Sequence, residues 1–396
     1  MLLPQLKGRW HMAKYKQKKF NVGLTIFLSI LFLIVGAFGG LVAAFLQDKN
    51  KNPIFESDVV YGDGISFHFM ELGNGKTGDS ILIQAGTTEI LVDGGSRTNS
   101  AGTIETYVKD KMQDDVLEYV IVSHADQDHI ASFAGDGTND SLFKRFNVST
   151  IIDFPKTNKN TAVYNRYVSE RNSEIEAGAK HYTALECWNN ANGATRSIEI
   201  SKNISLNILY NYYYEHETSD ENDYSVCFQI EEGDNKYLFT GDLEESGEEY
   251  LVQYNQLSKV KLFKAGHHGS KTSSNDCLLD IIQPEICVVC CCAGSVEYTD
   301  NLENTFPTQL FINRISKWTT KVYVTTLATI EQVGVKEGGA IDYDDVSYSS
   351  FNGNVVVKSS RGEITVECSN NNTLLKDTDW FKENRTTPSA WLTAAA

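Results

Sequence analysis

Four times in this chain a run of apolar residues stops at a short loop that carries aspartate or histidine. The runs are "ILVDGG" (Ile90–Gly95), "VIVSHADQDH" (Val120–His129), "YLFTGD" (Tyr237–Asp242) and "KLFKAGHHGS" (Lys261–Ser270). Short apolar runs of this kind read as buried strands, and the end of a strand on a rigid sheet is where a ligand loop can be held. One shared site at a sheet edge requires this repetition, and a chance cluster would not reproduce it. The second run packs His124, Asp126, Asp128 and His129 into six positions. Side chains with lone pairs that converge within ~2.0–2.2 Å of one point are the donor set of a metal ion.

The rest of the chain supplies the scaffold. "ISFHFMEL" (Ile65–Leu72) alternates as a strand, and "SILIQAG" and "TEILVDGG" form a hairpin about Gly86. A helix is expected around Ala101–Met112, and others near Glu244, Asn275–Ile282 and Pro307–Lys317. Strands lead to helices twice over, with hairpins at each end. That predicts an α+β protein, two mixed sheets packed face to face with helices outside, a four-layer αββα sandwich over residues 61–368. The polar, patternless stretch 369–396 is expected to be disordered.

Ahead of this domain lies "VGLTIFLSILFLIVGAFGGLVAAFL" (Val22–Leu46), free of charged side chains. At ~1.5 Å rise per residue such a stretch can cross a ~30 Å hydrocarbon core. It exceeds the ~7–15 apolar residues of a cleaved signal peptide. Residues 1–21 carry Lys7, Arg9, Lys14, Lys16, Lys18 and Lys19 and no acid. By the positive-inside rule this basic arm stays in the cytoplasm. The expectation is a single-pass cell-membrane protein: arm 1–21, anchor 22–46, linker 47–60 and an exterior domain. The formal charge of −17 argues against tight nucleic-acid binding, which draws on lysine and arginine. Exterior thiols often pair, yet Cys287, Cys290, Cys291 and Cys292 in "ICVVCCC" read as small core residues of a buried strand.

Taken in order, "GDSILI…ILVDGG", "SHADQDH", "LFTGD" and "KAGHHGSKTSS" resemble the metallo-β-lactamase superfamily. The nearest likeness is the soluble hydrolase domain of ComEC-type competence proteins, over about Ile65 to Glu367. The resemblance implies two adjacent divalent ions, Zn²⁺ or Mn²⁺. His124 and Asp126 would bind one, Asp128 and His129 the other, with Asp242 between them. One of His267 and His268, with His267 favoured, would complete the second position. Asp79 and Asp93 would fix the loops from behind, and Lys264 and Ser270 would support the site or touch substrate. Many superfamily members have a further histidine before the bridging aspartate. Here that interval holds only His181 and His216, neither at a strand end, and the ComEC-type branch lacks that ligand too. The branch's Asn-x-Tyr-Gly-His-Pro element is reduced to "NTFP" (Asn304–Pro307), which removes one histidine near the substrate.

Charge then suggests the chemistry. A water shared by two divalent cations loses a proton near neutral pH. Asp126, Asp128 and Asp242 offset most of the positive charge, so an anionic diester would not be repelled. Asp128 and His268 are the catalytic candidates, His268 as a proton donor to the leaving oxygen if it is not a ligand. Ser270, Lys271, Ser273 and Ser274 could touch phosphate or equally cap the following helix. "NYYYEHE" (Asn211–Glu217) could stack bases or a cation, His68 reads as a packed strand histidine, and "GDGTND" (Gly135–Asp140) as a turn. The expected function is a membrane-anchored extracytoplasmic metal-dependent hydrolase. Its expected substrate is single-stranded DNA or a small phosphodiester. A small-ester hydrolase of envelope substrates and a metal-bound non-catalytic module are the alternatives. No protein partner is inferable.

Overall fold

In "ISFHF" every second side chain turns inward. Phe67 packs at a tilt against Tyr237 with ring centroids 4.6 Å apart, and Phe69 stacks on Phe239 at 6.3 Å. Period-two burial of this kind makes one face of a sheet, and a second sheet supplies the partner rings.

The computed structural model describes residues 64–299, 301–329, 334–335, 341–342 and 347–393. The expected arm, anchor and linker lie outside the described residues. No helix among the described residues is long and apolar enough to cross a membrane.

In chain order the strands are β1 Ile65–Phe69, β2 Ile81–Ala85, β3 Thr88–Val92, β4 Val116–Ile121, β5 Asn147–Asp153 and β6 Lys180–Thr183. They continue as β7 Ser197–Ser201, β8 Ile204–Ile208, β9 Phe228–Glu232, β10 Asn235–Phe239, β11 Leu262–Lys264 and β12 Ile286–Ala293. Then come β13 Val322–Thr329, β14 Gly334–Val335, β15 Ile341–Asp342, β16 Ser347–Ser350, β17 Val355–Ser360 and β18 Glu363–Cys368. One sheet runs β18-β17-β1-β2-β3-β4-β5-β6 and the other β16-β13-β12-β11-β10-β9-β8-β7. Both are mixed, parallel from β3 to β6 and from β10 to β13, and antiparallel elsewhere.

Parallel neighbours need a crossover, and each of these pairs crosses over through a helix. Ser100–Lys111, Gln127–Ala134 and Ala162–Ala177 serve the first sheet; Glu245–Tyr254, Asp276–Ile282 and Gln309–Ile315 serve the second. The inner faces share one core with the first helix layer, and the second helix layer closes a separate core on the other side. The four layers are those expected. The cysteine strand β12 divides between the two cores: Val288 and Cys290 face inward, Cys287, Val289 and Cys291 outward. All eight cysteines are unbridged, and the four on β12 are buried core residues.

The expectation of a disordered tail from 369 is corrected. Residues 375–377 form a 3₁₀ turn, followed by helices Asp379–Asn384 and Ser389–Thr393. Leu375, Phe381 and Trp391 are buried in the second core, and the Trp391 indole donates to the Thr319 carbonyl at 2.8 Å. Widely spaced single apolar residues show no periodicity, yet each fills a site left open on the second sheet's helix layer. The domain therefore continues past 368.

Candidate metal centre

The four strand ends meet. Asp93 follows β3, His124 to His129 follow β4, Asp242 follows β10, and His267 and His268 follow β11. All lie at the carboxyl ends of parallel strands, where the crossover loops converge between the two sheets. Gly241 shows how close the approach is. Its φ is +55°, and a Cβ there would stand 2.7 Å from Ser225 Oγ and 3.0 Å from Ser123 Cβ. Ser225 Oγ accepts from the Asp242 amide at 3.0 Å, and Val226 N donates to Ser123 O at 2.8 Å. The loops of the two sheets are thereby fastened to each other.

Donor atoms of Asp128, His129, Asp242 and His268 all lie within 4.8 Å of one another. His129 directs Nδ1 at Asp93 Oδ2 (2.9 Å), which leaves Nε2 3.1 Å from Asp242 Oδ2. Asp93 also accepts from the Ser123 amide (2.7 Å) and hydroxyl (2.8 Å). His268 directs Nδ1 at the Cys290 carbonyl (2.8 Å) and holds Nε2 3.2 Å from Asp128 Oδ2 and 3.1 Å from Asp242 Oδ2. In both imidazoles one nitrogen is fixed by an acceptor behind it, which directs the other into the cluster, where it could serve as a ligand. His124 Nε2 is buried without a hydrogen-bond partner, 3.6 Å from Asp126 Oδ2.

Protonated imidazoles offset the buried carboxylates here, the place a divalent cation would take. Burial alone would push each group toward its neutral form. At His129 the Asp242 and Asp93 carboxylates outweigh burial, and at His268 Asp242 and Asp79 do so; both imidazoles stand well above their ordinary range. Burial would likewise raise Asp128 and Asp242, but the facing imidazoles, and Lys264 at Asp242, hold both far below theirs. Two imidazoles, two carboxylates and a buried, partnerless imidazole nitrogen beside them fit a divalent metal.

Of the adjacent histidines, His268 joins this group and the favoured His267 does not. His267 turns Nδ1 to Glu244 Oε1 at 3.1 Å and lines the cleft above. Both residues have left-handed backbone (φ +43° and +51°), so consecutive side chains diverge. Asp79 and Lys264 lie behind the cluster: Lys264 is 1% exposed, ion-paired with Asp79 and 3.1 Å from Asp242 Oδ1. Lys264 is thus no substrate contact; its ammonium occupies one oxygen of Asp242 and leaves Oδ2 for the centre. Ser270 Oγ contacts Thr272 Oγ1 at 2.9 Å. Ser273 donates to the Leu243 carbonyl (2.7 Å), and Ser274 Oγ accepts from Gly266 N (3.1 Å). These two serines clamp the histidine loop, and neither caps the helix at Asp276–Ile282, whose N-cap is Asn275.

A cleft of about 420 Å³ opens over the cluster, lined by Asp126, Asp128, Asp242, His267, Tyr298 and Arg97 among others. Tyr298 donates to Asp128 Oδ2 at 2.9 Å, and Phe306 of the "NTFP" element packs against both histidine rings. Neither was foreseen. Tyr298 follows β12, so the strand-end rule extended from Asp and His to Tyr would have found it. Larger grooves elsewhere lack such convergence. One of about 730 Å³ on the first sheet holds His68, whose ring nitrogens already face Tyr107 and Ser66 at 2.8 Å each. His181 faces Asp153 at 2.8 Å, and His216 stacks on Tyr212 at 3.8 Å, both apart from the cluster. In "NYYYEHE" Tyr212 meets Tyr213 edge-on and stacks on Tyr250. Asp136 closes the 135–140 turn by accepting from Thr138 N and Asn139 N.

A family model described as the metallo-beta-lactamase superfamily matches residues 73–135 and 216–293. The chain carries a metallo-β-lactamase superfamily domain. The two matched stretches hold every residue of the four-donor cluster, and the unmatched interval holds His181. Competence proteins are among its relatives. ComE operon protein 3 of Bacillus subtilis is 28% identical over 180 residues, 44% of this chain and 20% of that protein. Competence protein ComA of Neisseria gonorrhoeae is 32% identical over 126 residues, 32% of this chain and 17% of that protein. Recombination protein 2 of Haemophilus influenzae is 33% identical over 72 residues, 18% of this chain and 9% of that protein. The chain spans a fifth or less of the length of these relatives.

Proposed function

We propose that this chain is a membrane-anchored, extracytoplasmic metal-dependent phosphodiesterase or nuclease, with Zn²⁺ or Mn²⁺ as its metal. The observation that carries the reading is the four-donor cluster of Asp128, His129, Asp242 and His268 at the floor of an open cleft. A divalent cation there supplies Lewis acidity and a water-derived nucleophile at neutral pH. The chain's own residues do the rest. Asp93 and the Cys290 carbonyl hold the two ligand imidazoles in register. Lys264 sets the orientation of Asp242. His267 lines the cleft with Nδ1 held by Glu244, so Nε2 is the atom that can give a proton to a leaving oxygen. Tyr298 offers a hydroxyl at the same mouth. The anchor reading rests on Val22–Leu46, an uncharged stretch long enough to span a bilayer.

The relatives are named for competence and recombination, so single-stranded DNA is the first polymer to offer. A small chromogenic phosphodiester serves as the second substrate. Cleavage of either with added Mn²⁺ or Zn²⁺, abolished by Asp128→Ala, is the expected result. No cleavage by the native chain, or equal cleavage by the variant, overturns the reading. Extraction of the full chain from membranes by carbonate alone would overturn the anchor.

A further inference from the structure

The two expected metal positions are not equivalent in their surroundings. The Asp128–His129–His268 position has its donors converged and oriented from behind. At the His124–Asp126 position, a lysine already sits on the carboxylate: Lys159 Nζ is ion-paired with Asp126 Oδ1. His124 Nε2 and Asp126 Oδ2 are the remaining protein donors there, 3.6 Å apart. Asp242 has only Oδ2 to share, because Lys264 holds Oδ1.

Lys159 is not an idle surface side chain that happens to reach inward. It belongs to the connection between β5 and the helix Ala162–Ala177, and Glu221 pins that connection to the metal loop. Glu221 accepts from Thr157 Oγ1 and Asn158 N at 2.7 Å each, and from the amide of Ala125 at 3.3 Å. Ala125 lies between His124 and Asp126, so one carboxylate sets the spacing of the lysine loop and the metal loop. Asn158 adds a bond to the Thr218 carbonyl at 2.8 Å. The Lys159 side chain is 30% exposed and that of Asp126 27%, so the ammonium has solvent to move into without moving its backbone.

An ammonium and a divalent cation compete for one carboxylate, since their like charges repel at this range. We infer that Lys159 is a built-in competitor for the His124–Asp126 position. The chain then holds one ion firmly at Asp128–His129–Asp242–His268. A second ion enters only by displacing Lys159 from Asp126. Displaced, the ammonium stays on its pinned loop at the cleft rim, as a point charge for an anionic substrate group. This last step rests on the phosphodiesterase reading; the metal competition does not.

The test is metal binding to the full chain, stripped of metal and titrated with Mn²⁺ or Zn²⁺ by calorimetry, with retained ions counted after gel filtration. The native chain should keep one ion and bind a second at least tenfold more weakly. Lys159→Met should tighten the second by about tenfold and leave the first unchanged, Lys159→Arg should behave as native, and Lys156→Met should have no effect. Equal affinities in the native chain, or a second affinity unmoved by Lys159→Met, overturns the inference. With metal saturating, Lys159→Met should raise KM for a small phosphodiester at least fivefold with kcat little changed. Failure of the native chain to turn over any diester would sink the substrate reading, with the competition still decided by the titration.

Discussion

His268 Nδ1 lies 2.8 Å from the carbonyl oxygen of Cys290, while the neighbouring His267 turns its Nδ1 to Glu244 Oε1 at 3.1 Å. The first acceptor is part of a buried strand, so it fixes the imidazole rigidly and directs Nε2 at the carboxylates. The second is a side chain beside the cleft.

The two histidines should therefore separate cleanly by mutation. His268→Ala should lower metal affinity by roughly a hundredfold or more, since it removes a donor and the loss of orienting partners alone costs ~10–100-fold. His267→Ala should keep its metal and lose turnover. Ion content after dialysis, measured beside hydrolysis rate, decides this. Metal loss in the His267 variant with retention in the His268 variant would reverse the assignment.

Asp93 makes the corresponding bond to His129, and its backbone is left-handed at φ +59°. Asparagine tolerates that conformation better than most residues, so Asp93→Asn isolates the charge. Metal affinity is expected to fall about 10–100-fold, with folding intact. The metal-dependent rise in melting temperature should shrink in step, because an ion bound only to the folded state stabilises by mass action. An unchanged affinity would show that His129 needs no carboxylate behind it.

Much of this site was legible because its residues stand at strand ends. The apolar runs before Asp93, His124 and Asp242 announce buried strands, and their hydrophobic pattern alone sends them to the core. The choice between His267 and His268 was not legible. It depends on two left-handed residues and on a carbonyl 22 residues further along. Lys159 and Glu221 come from loops with no pattern, joined only when β5 and the 217–224 segment come together. The helix Ala162–Ala177 left no mark either: Tyr167 is its one fully buried residue, so it carries almost no apolar stripe. The NTFP element pointed to a lost histidine, but not to Phe306 and Tyr298 lining the same wall.

Glu248 should give the fold a pH dependence of its own. It is buried on the helix Glu245–Tyr254, and burial pushes its carboxyl up to about 7 against the amides of Asn275 and Ser274 and the Asn275 side chain, which favour the charged form. A group raised in the folded state binds its proton more tightly there than when unfolded. Its stabilising contribution is full below the unfolded value near 4.5 and is lost as pH rises through about 7. Each pKa unit corresponds to ~1.4 kcal/mol. Urea midpoints taken from pH 4.5 to 7.5 should fall for the native chain, and Glu248→Gln should flatten that slope. A native slope that survives the substitution would place its origin elsewhere.

The tail offers the sharpest test of the fold itself. Trp391 and Phe381 pack as a tilted pair with centroids 5.6 Å apart, and both are buried against the second sheet's helix layer. Replacing a buried large aromatic by alanine costs ~3–5 kcal/mol, through lost transfer energy and the cavity left behind. Trp391→Ala also leaves the Thr319 carbonyl without its indole donor, a further penalty if water cannot reach it. Each variant should lower the urea midpoint well below that of Lys382→Ala, whose side chain is 59% exposed and whose loss should be nearly neutral. Removing residues 369–396 should cost more than either, since it uncovers Leu375, Phe381 and Trp391 contacts together. If the truncated chain unfolds at the native midpoint, the tail contributes nothing and the domain ends at β18.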